Sequence, residues 1–336
     1  MEKDFHYYTI YVLSRYAGFS QRDSYIIAYS SQYVDDSTES KPMNVGNYIF
    51  DPIRTAHMGL RSFTWGVQKK IFIPFHFLPP GSLRRTAGRF SYITQPNSIL
   101  ANKLIKEVLK DKSEIRLHRL GIALHTFVDT WSHQKFSGRE HKENDIDKIK
   151  RKSKYRGLFQ TLGDIALSRF PYVNHLQAGK YPDFPYLEWE YKNWKKKTIK
   201  RNNSRIFIDC TKTIYQLLVK YPKNSNLKPK PWEMIETRLL SAFKYQNRDC
   251  ELRCNNMRNI FRDIFGSTGK LIYDKMTWRK EALIAKKNVY YSWDRMLPAR
   301  IKTLKFIARK NFLNSNWVQF HKAAFIQRMF VLKNLM

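Results

Sequence analysis

The chain carries its most chemically suggestive side chains between Leu120 and Ser137, in the run LGIALHTFVDTWSHQKFS. Read as a helix, this segment puts His125, Asp129 and His133 at successive i, i+4 positions. Each step of four residues turns a helix about 40° past a full circle, so the three share one face. Leu120, Leu124, Phe127, Val128 and Trp131 supply the apolar surface that would hold such a helix in a core. Two imidazoles and a carboxylate converging on a buried face are good ligands for a divalent ion, zinc first among them. The chemistry this points to is metal-assisted hydrolysis. Adjacent His-Asp, which an HD-type phosphohydrolase requires, is absent from the sequence.

The elements that must position these residues read as mostly helical. A first helix spans Phe5 to Tyr16 and stops at Gly18, a residue suited to a left-handed cap. Ser20 followed by Asp23 marks the start of a second helix through Tyr25 to Val34, which delivers Asp35 and Asp36 at its C-terminal end. Adjacent carboxylates at the negative end of a helix are electrostatically misplaced unless they are exposed or a cation compensates them. From Asp51 to Gly81 the periodicity breaks. The aromatic, proline-punctuated stretch from Lys70 to Gly81 reads as a loop or short extended segment, with His76 between two phenylalanines. Helical periodicity resumes from Asn97 to about Lys110 and restarts near Ser113. A charged linker over 138–156 precedes a helix to Phe170, and residues 171–187 form a Pro/Gly-bounded loop holding His175 and Asp183. From Glu188 onward the chain reads as basic helices, ending in an amphipathic helix from Asn316 to Met336.

Composition sets the outer limits. The 336 residues are 43% hydrophobic and 15% aromatic, which indicates a folded protein with a large core. No apolar run is long enough to cross a bilayer, and the N-terminus lacks a signal-peptide pattern, so the expected location is cytoplasmic. Cys210, Cys250 and Cys254 make no disulfide framework. The formal charge is +33 and uneven, with a net +7 in residues 1–150 and +26 in 151–336. Stretches such as KIKRKSK (Lys148 to Lys154) and KNWKKKTIKR (Lys192 to Arg201) suit phosphate contacts or an anionic membrane surface. Nucleic acid and anionic phospholipid are the partners this charge implies.

Several segments carry a resemblance. They are DFHYY (Asp4 to Tyr8), AGF (Ala17 to Phe19), SQYVDD (Ser31 to Asp36), PFHFLP (Pro74 to Pro79), the helix block from Leu120, and His175 followed by YPD (Tyr181 to Asp183). Together, over roughly residues 4–192, they resemble a family of uncharacterised bacterial proteins. That family in turn is similar to the zinc-dependent phospholipase C and single-strand-specific nuclease superfamily. The resemblance implies an all-α multi-helix bundle with a loop-rich insertion around 51–96 and a basic helical C-terminal half. It divides the chain into a metal-binding helical domain over 1–190 and a basic extension over 191–336, packed on it or continuous with it. It also implies a phosphodiester hydrolase with a cluster of zinc ions.

Carried over residue by residue, the resemblance makes His125 and Asp129 the central H-x-x-x-D, with Asp129 bridging two metals. His6 matches an early His ligand, Asp35 or Asp36 the Asp that follows it, and His57 or His76 the next His, while His133 and His175 would serve a third metal. Gly179 stands where a Glu ligand is expected after His175, so Asp183 or Asp164 would substitute. The superfamily uses the amine of a processed N-terminal Trp. This chain begins Met-Glu, and the expectation is that this ligand is missing, giving two zinc ions more readily than three. In that reading Asp129 joins Asp35 and Asp36 as the catalytic carboxylates, either of the latter two orienting a metal-bound water, and Trp131, Phe75 or Phe77 walls the pocket. The alternative from another class is a structural metal in a non-catalytic, polyanion-binding protein.

Overall fold

A computed structural model describes residues 1–39, 41–56, 60–81, 92–151, 172–266, 271–294 and 297–335. His57, Asp164 and the helix expected up to Phe170 lie outside them. The N-terminal residues Asp4–Thr9 wind as a π-helix that runs straight into α1 (Ile10–Tyr16). Gly18 follows at φ +94°, in the left-handed region, and a Cβ there would meet the Leu227 carbonyl oxygen at 2.4 Å. The Ser20 hydroxyl accepts from the Asp23 amide at 3.1 Å and caps α2 (Gln21–Asp36). Ser98 caps α3 (Ile99–Leu109) in the same way, accepting from the Ala101 amide at 3.2 Å.

The central helix α4 (Arg116–Ser132) is buried on nearly every side, with Leu120, Ile122, Ala123, Leu124, Phe127 and Val128 almost fully inaccessible. A helix hydrophobic all round belongs in the middle of a domain. Around it pack α2, α3, α5 (Asn203–Lys220) and the closing helix, after α6 (Glu233–Lys244) and α7 (Cys250–Ile260), here α8 (Asn316–Leu335). Gln327 on α8 donates to the Thr126 hydroxyl at 2.7 Å and to the Pro74 carbonyl at 3.1 Å, tying α4 to the segment that carries His76. One core runs through both halves of the chain, from Ile10 and Leu124 to Phe207, Leu239, Trp278 and Phe320.

The all-α expectation is corrected by two sheets. One has the strand order β2-β1-β7-β6, with β1 (Met43–Val45), β2 (Tyr48–Phe50), β6 (Leu283–Asp294) and β7 (Leu297–Ala308). The other runs β3-β4-β5, with β3 (Ile146–Arg151), β4 (Glu188–Asn193) and β5 (Thr198–Asn202). The basic stretches expected as helix include both long hairpins. In β4 the buried Trp189 and Tyr191 alternate with half-buried Glu188 and Glu190, the period-two signature of a strand. The hairpin turn is set by Asn193, whose side-chain oxygen accepts from the amides of Lys195 and Lys197. Lysine is a good helix former, and its abundance here hides the alternation. A second correction concerns 70–75, within the stretch expected as loop or extended. It belongs to a π-turn (Gln68–Phe72) and a helical turn (Ile73–Phe75), because helical spacing puts Ile71, Phe72 and Phe75 together in the core.

Gly121 is where α2 and α4 come closest. A Cβ there would lie 2.3 Å from the Ile27 carbonyl oxygen and 2.6 Å from the Ser30 Cβ. Gly121→Ala is therefore expected to force the two helices apart and to destabilise the protein by about 1–3 kcal/mol, read as a lower midpoint in urea unfolding. A midpoint unchanged from wild type would show that the helices have room to spare.

Candidate metal centre

Five elements deliver ligands to one buried point. The π-turn at the N-terminus presents His6, the end of α2 presents Asp35, and the turn after Phe75 presents His76. The last turns of α4 present His125 and Asp129, with His133 as its C-cap. The 172–187 loop supplies His175 and Asp183. Asp129 lies at the hub. Its Oδ2 is 3.2 Å from both His76 Nδ1 and His125 Nε2, and its Oδ1 is 3.2 Å from His6 Nε2. Asp183 Oδ1 is 3.2 Å from His133 Nε2, and its Oδ2 is 3.5 Å from His175 Nε2. Asp35 Oδ1 stands 3.8 Å from His76 Nδ1 and 3.7 Å from His125 Nε2.

Three groups in this cluster could hold a metal ion: His6 with His125 and Asp129, Asp35 with His76 and His125, and His133 with His175 and Asp183, each with ligand atoms within 4.8 Å of one another. Asp36, expected beside Asp35, faces elsewhere. Its Oδ2 accepts from the Tyr273 hydroxyl at 2.8 Å and from Gln32 Nε2 at 3.1 Å. Phe77 stacks on His133 with ring centroids 4.5 Å apart, whereas Phe75 is fully buried in the core and Trp131 lies half-buried.

The protonation pattern follows from the outer hydrogen bonds. Carbonyls only accept, so a ring nitrogen facing one must carry the hydrogen. His76 Nε2–H donates to the Thr55 carbonyl at 2.9 Å, and His125 Nδ1–H to Ser31 at 2.8 Å. His133 Nδ1–H donates to the His76 carbonyl at 3.0 Å, and His175 Nδ1–H to Gly179 at 2.8 Å. With the ring neutral, the other nitrogen turns a lone pair inward, toward carboxylate oxygens. His76 Nδ1 and His125 Nε2 even face each other at 3.2 Å. His6 stacks on His125 with centroids 3.9 Å apart, and neither of its buried ring nitrogens has a hydrogen-bond partner. Lone pairs converging on lone pairs repel unless a cation lies between them. Backbone acceptors that orient ligand imidazoles are what metal sites use. The residues fit a divalent ion.

Positive charge is already drawn into the cluster. The Met1 amine, expected to be absent from the site, lies 2.9 Å from Asp129 Oδ1 and 3.1 Å from Asp183 Oδ1. Burial pushes this amine down, and Asp129, Asp183 and Asp35 more than offset that, raising it to about 11. Burial pushes the Asp129 carboxyl up, but the amine beside it holds it well below the usual range. Asp183 is likewise pushed up by burial and held well below by the amine and by the hydrogen bond to His133. Burial drives His6 well below its ordinary value and His175 down to about 4, so both stay neutral and able to ligate.

The basic half contributes a side chain that the sequence does not single out. Arg253 on α7 is buried, and its Nε donates to Asp4 Oδ2 at 2.6 Å while a terminal nitrogen pairs with Glu2. Its other terminal nitrogen donates to the carbonyls of Asn247 and Arg248. The pairs clamp both sides of residue 3 and so set the positions of the Met1 amine and His6.

The family comparison can now be placed beside this geometry. A family of unknown function, DUF6765, matches residues 1–335. The chain belongs to it. No curated protein and no solved structure matches the chain. Among the described residues no helix is long and apolar enough to cross a membrane.

Two outcomes are expected of this centre. Zinc at a hundredfold its Kd should stabilise the wild-type protein by about 2.7 kcal/mol, and the His125→Ala, Asp129→Asn double variant should show no such shift in thermal unfolding. Equal shifts in both would place the ion elsewhere. Arg253→Met leaves Asp4 buried without its partner and is expected to cost about 3–5 kcal/mol in urea unfolding. A loss below about 1 kcal/mol would mean the clamp does not hold the N-terminal turn.

Proposed function

We propose that the protein is a metal-dependent phosphoesterase that cleaves a phosphodiester in a nucleic acid or a phospholipid headgroup. The observation that carries this reading is the number of ligands. His6, Asp35, His76, His125, Asp129, His133, His175 and Asp183 are more than one ion can use, and a purely structural zinc site closes with four. The proposed ions are zinc, suited to imidazole and carboxylate donors: two adjacent ones that Asp129 would bridge, His125 Nε2 serving one of them, and a third at His133, His175 and Asp183.

Bound divalent ions supply a water whose pKa falls toward about 7 and neutralise charge on phosphoryl oxygens. The chain's own residues do the rest. Asp129 spreads its two oxygens over His6 on one side and His76 with His125 on the other, so it would hold ions on both sides. Asp35 is the most solvent-accessible member, with its side chain 31% exposed, and His175 follows at 20%. Substrate would therefore enter between the end of α2 and the 172–187 loop. Burial raises the Asp35 carboxyl above its usual value, which suits a group that takes and returns a proton at the mouth of the site. Asp36 is committed to Tyr273 and Gln32, which leaves Asp35 as the base. Phe77 walls the His133 side. The excess of lysine and arginine in the second half would gather a polyanion, a long-range effect that salt screens.

Elemental mass spectrometry of the purified protein, paired with hydrolysis of bis-p-nitrophenyl phosphate, tests the reading. Two or more equivalents of metal are expected, with turnover abolished by chelation and lowered about 100-fold or more by Asp35→Asn. A single tightly held equivalent, with no diester hydrolysed, would replace the enzyme with a structural metal site.

A further inference from the structure

The cysteines take no part in the metal centre, yet two of them lie together. Cys250 opens α7 as its first residue, behind the Asp249 cap, and Cys254 follows one turn later. Their sulfurs are 3.9 Å apart. Cys254 is 1% exposed and packed in the core, Cys250 is only partly covered, and Cys210 is fully buried on α5. The hydrogen bond with Cys250, and then burial, hold the Cys254 thiol above its ordinary value. Cys250 is the sulfur that a reagent from solvent meets first. The pair acts electrostatically on Lys3, Asp4 and Tyr8, which belong to the N-terminal segment that α7 packs against.

Their position matters because Arg253 stands between them. While it holds Asp4 and Glu2, its other terminal nitrogen donates to the carbonyls of Asn247 at 2.8 Å and Arg248 at 3.1 Å, immediately before the helix. In a regular helix, Cα atoms four residues apart are about 6.2 Å from each other, within the span of a disulfide. Their Cβ atoms, however, are about 5–6 Å apart, and a disulfide draws them to about 3.5–4.5 Å. Closing the bond therefore requires backbone to move. Cys254 is fixed in the core, whereas Arg248, Asp249, Glu251 and Leu252 are exposed. The turn beginning at Cys250 is the part that gives way, and it carries the Asn247 and Arg248 carbonyls with it.

We propose that Cys250 and Cys254 are a peroxide-reactive dithiol, whose oxidation to a disulfide loosens the Arg253 clamp on the N-terminal turn and so weakens metal binding at His6. The Cys250 sulfur attacks one oxygen of a hydroperoxide. An S–O bond forms, the O–O bond breaks, and the departing oxygen leaves with the thiol proton as an alcohol or water. The Cys254 sulfur then attacks the Cys250 sulfur. The S–S bond forms, the S–O bond breaks, and hydroxide leaves with the Cys254 proton as water. Two thiols have lost two electrons and the peroxide has gained them. The switch acts on ion binding and stands apart from the phosphoesterase reading, since no step of it needs a hydrolysed substrate.

The test compares the full-length protein before and after treatment with a small excess of hydrogen peroxide. Trypsin cuts after Arg248, Arg253 and Arg258, so the peptides Asp249–Arg253 and Cys254–Arg258 should appear in the mass spectrum as one disulfide-linked species, parted by dithiothreitol. Cys210 should remain free to alkylate after unfolding. Backbone amides of residues 4–9 should exchange with deuterium at least tenfold faster in the oxidised protein, and its affinity for zinc should be at least tenfold weaker. Cys250→Ser should form no link and show neither change. Absence of the linked peptide, unchanged exchange at residues 4–9 once it has formed, or the same changes in Cys250→Ser would each overturn the switch. Equal zinc affinity in the two forms would do so as well. A reduced protein that takes up no zinc would instead end the metal reading, and the exchange measurement, which needs no ion, would still decide whether the clamp loosens.

Discussion

The structure depends on how Asp129 is satisfied. This carboxylate is buried at the centre of the domain, and water cannot solvate it there. Four histidines and the Met1 amine surround it, and His6, His76 and the amine come from elements distant in sequence. The backbone carbonyls of Ser31, Thr55, His76 and Gly179 take one N–H from each of four rings. The remaining ring nitrogens point at carboxylate oxygens. Such an arrangement is stable when positive charge sits inside it, whether proton, ammonium or divalent ion. The folding problem for this chain is therefore coupled to a charge problem, and a bound ion would contribute to the stability of every helix that supplies a ligand.

The positively charged second half is a participant in this centre. Arg253 reaches from α7 to Asp4 and Glu2, and α8 ties Thr126 and the Pro74 carbonyl together through Gln327. The N-terminal π-turn packs Phe5 on Phe207 and Phe243 and Tyr8 on Phe265, and the clamp adds the ion pairs beside His6. Its geometry comes from these contacts outside it, as the geometry of the His76 turn comes from α8. Net positive charge is thus two things at once. A few arginines are buried and structural or unpaired, and many exposed lysines act at long range.

The two buried arginines contrast usefully. Arg253 and Arg201 are both inaccessible, but carboxylates on both sides raise the first, whereas for the second burial outweighs the pull of Tyr191 and Asp183 and lowers it. The same side chain at similar burial is a clamp in one place and an unfilled donor in the other. Only the neighbours differ.

What the sequence by itself determined is local. The i, i+4 spacing of His125, Asp129 and His133, the Ser20 cap, the stop at Gly18 and the delivery of Asp35 by α2 follow from helix geometry and capping chemistry, which act over a few residues. His76, His175 and Asp183 were legible as candidates through the resemblance, though spacing alone could not link them. Tertiary structure decided the rest. The sheets at 188–202 and 283–308 form because strands find partners across a hairpin, while the lysines in them are compatible with helix as well. Asp36 turns away because Tyr273, more than two hundred residues later, offers it a hydroxyl. The Met1 amine reaches Asp129 because Arg253 holds Glu2 and Asp4, and Arg201 is buried against Trp189 with no salt bridge among the described residues because of what the fold places around it. A contact between distant residues depends on where packing puts both of them, and no pattern within one segment encodes that.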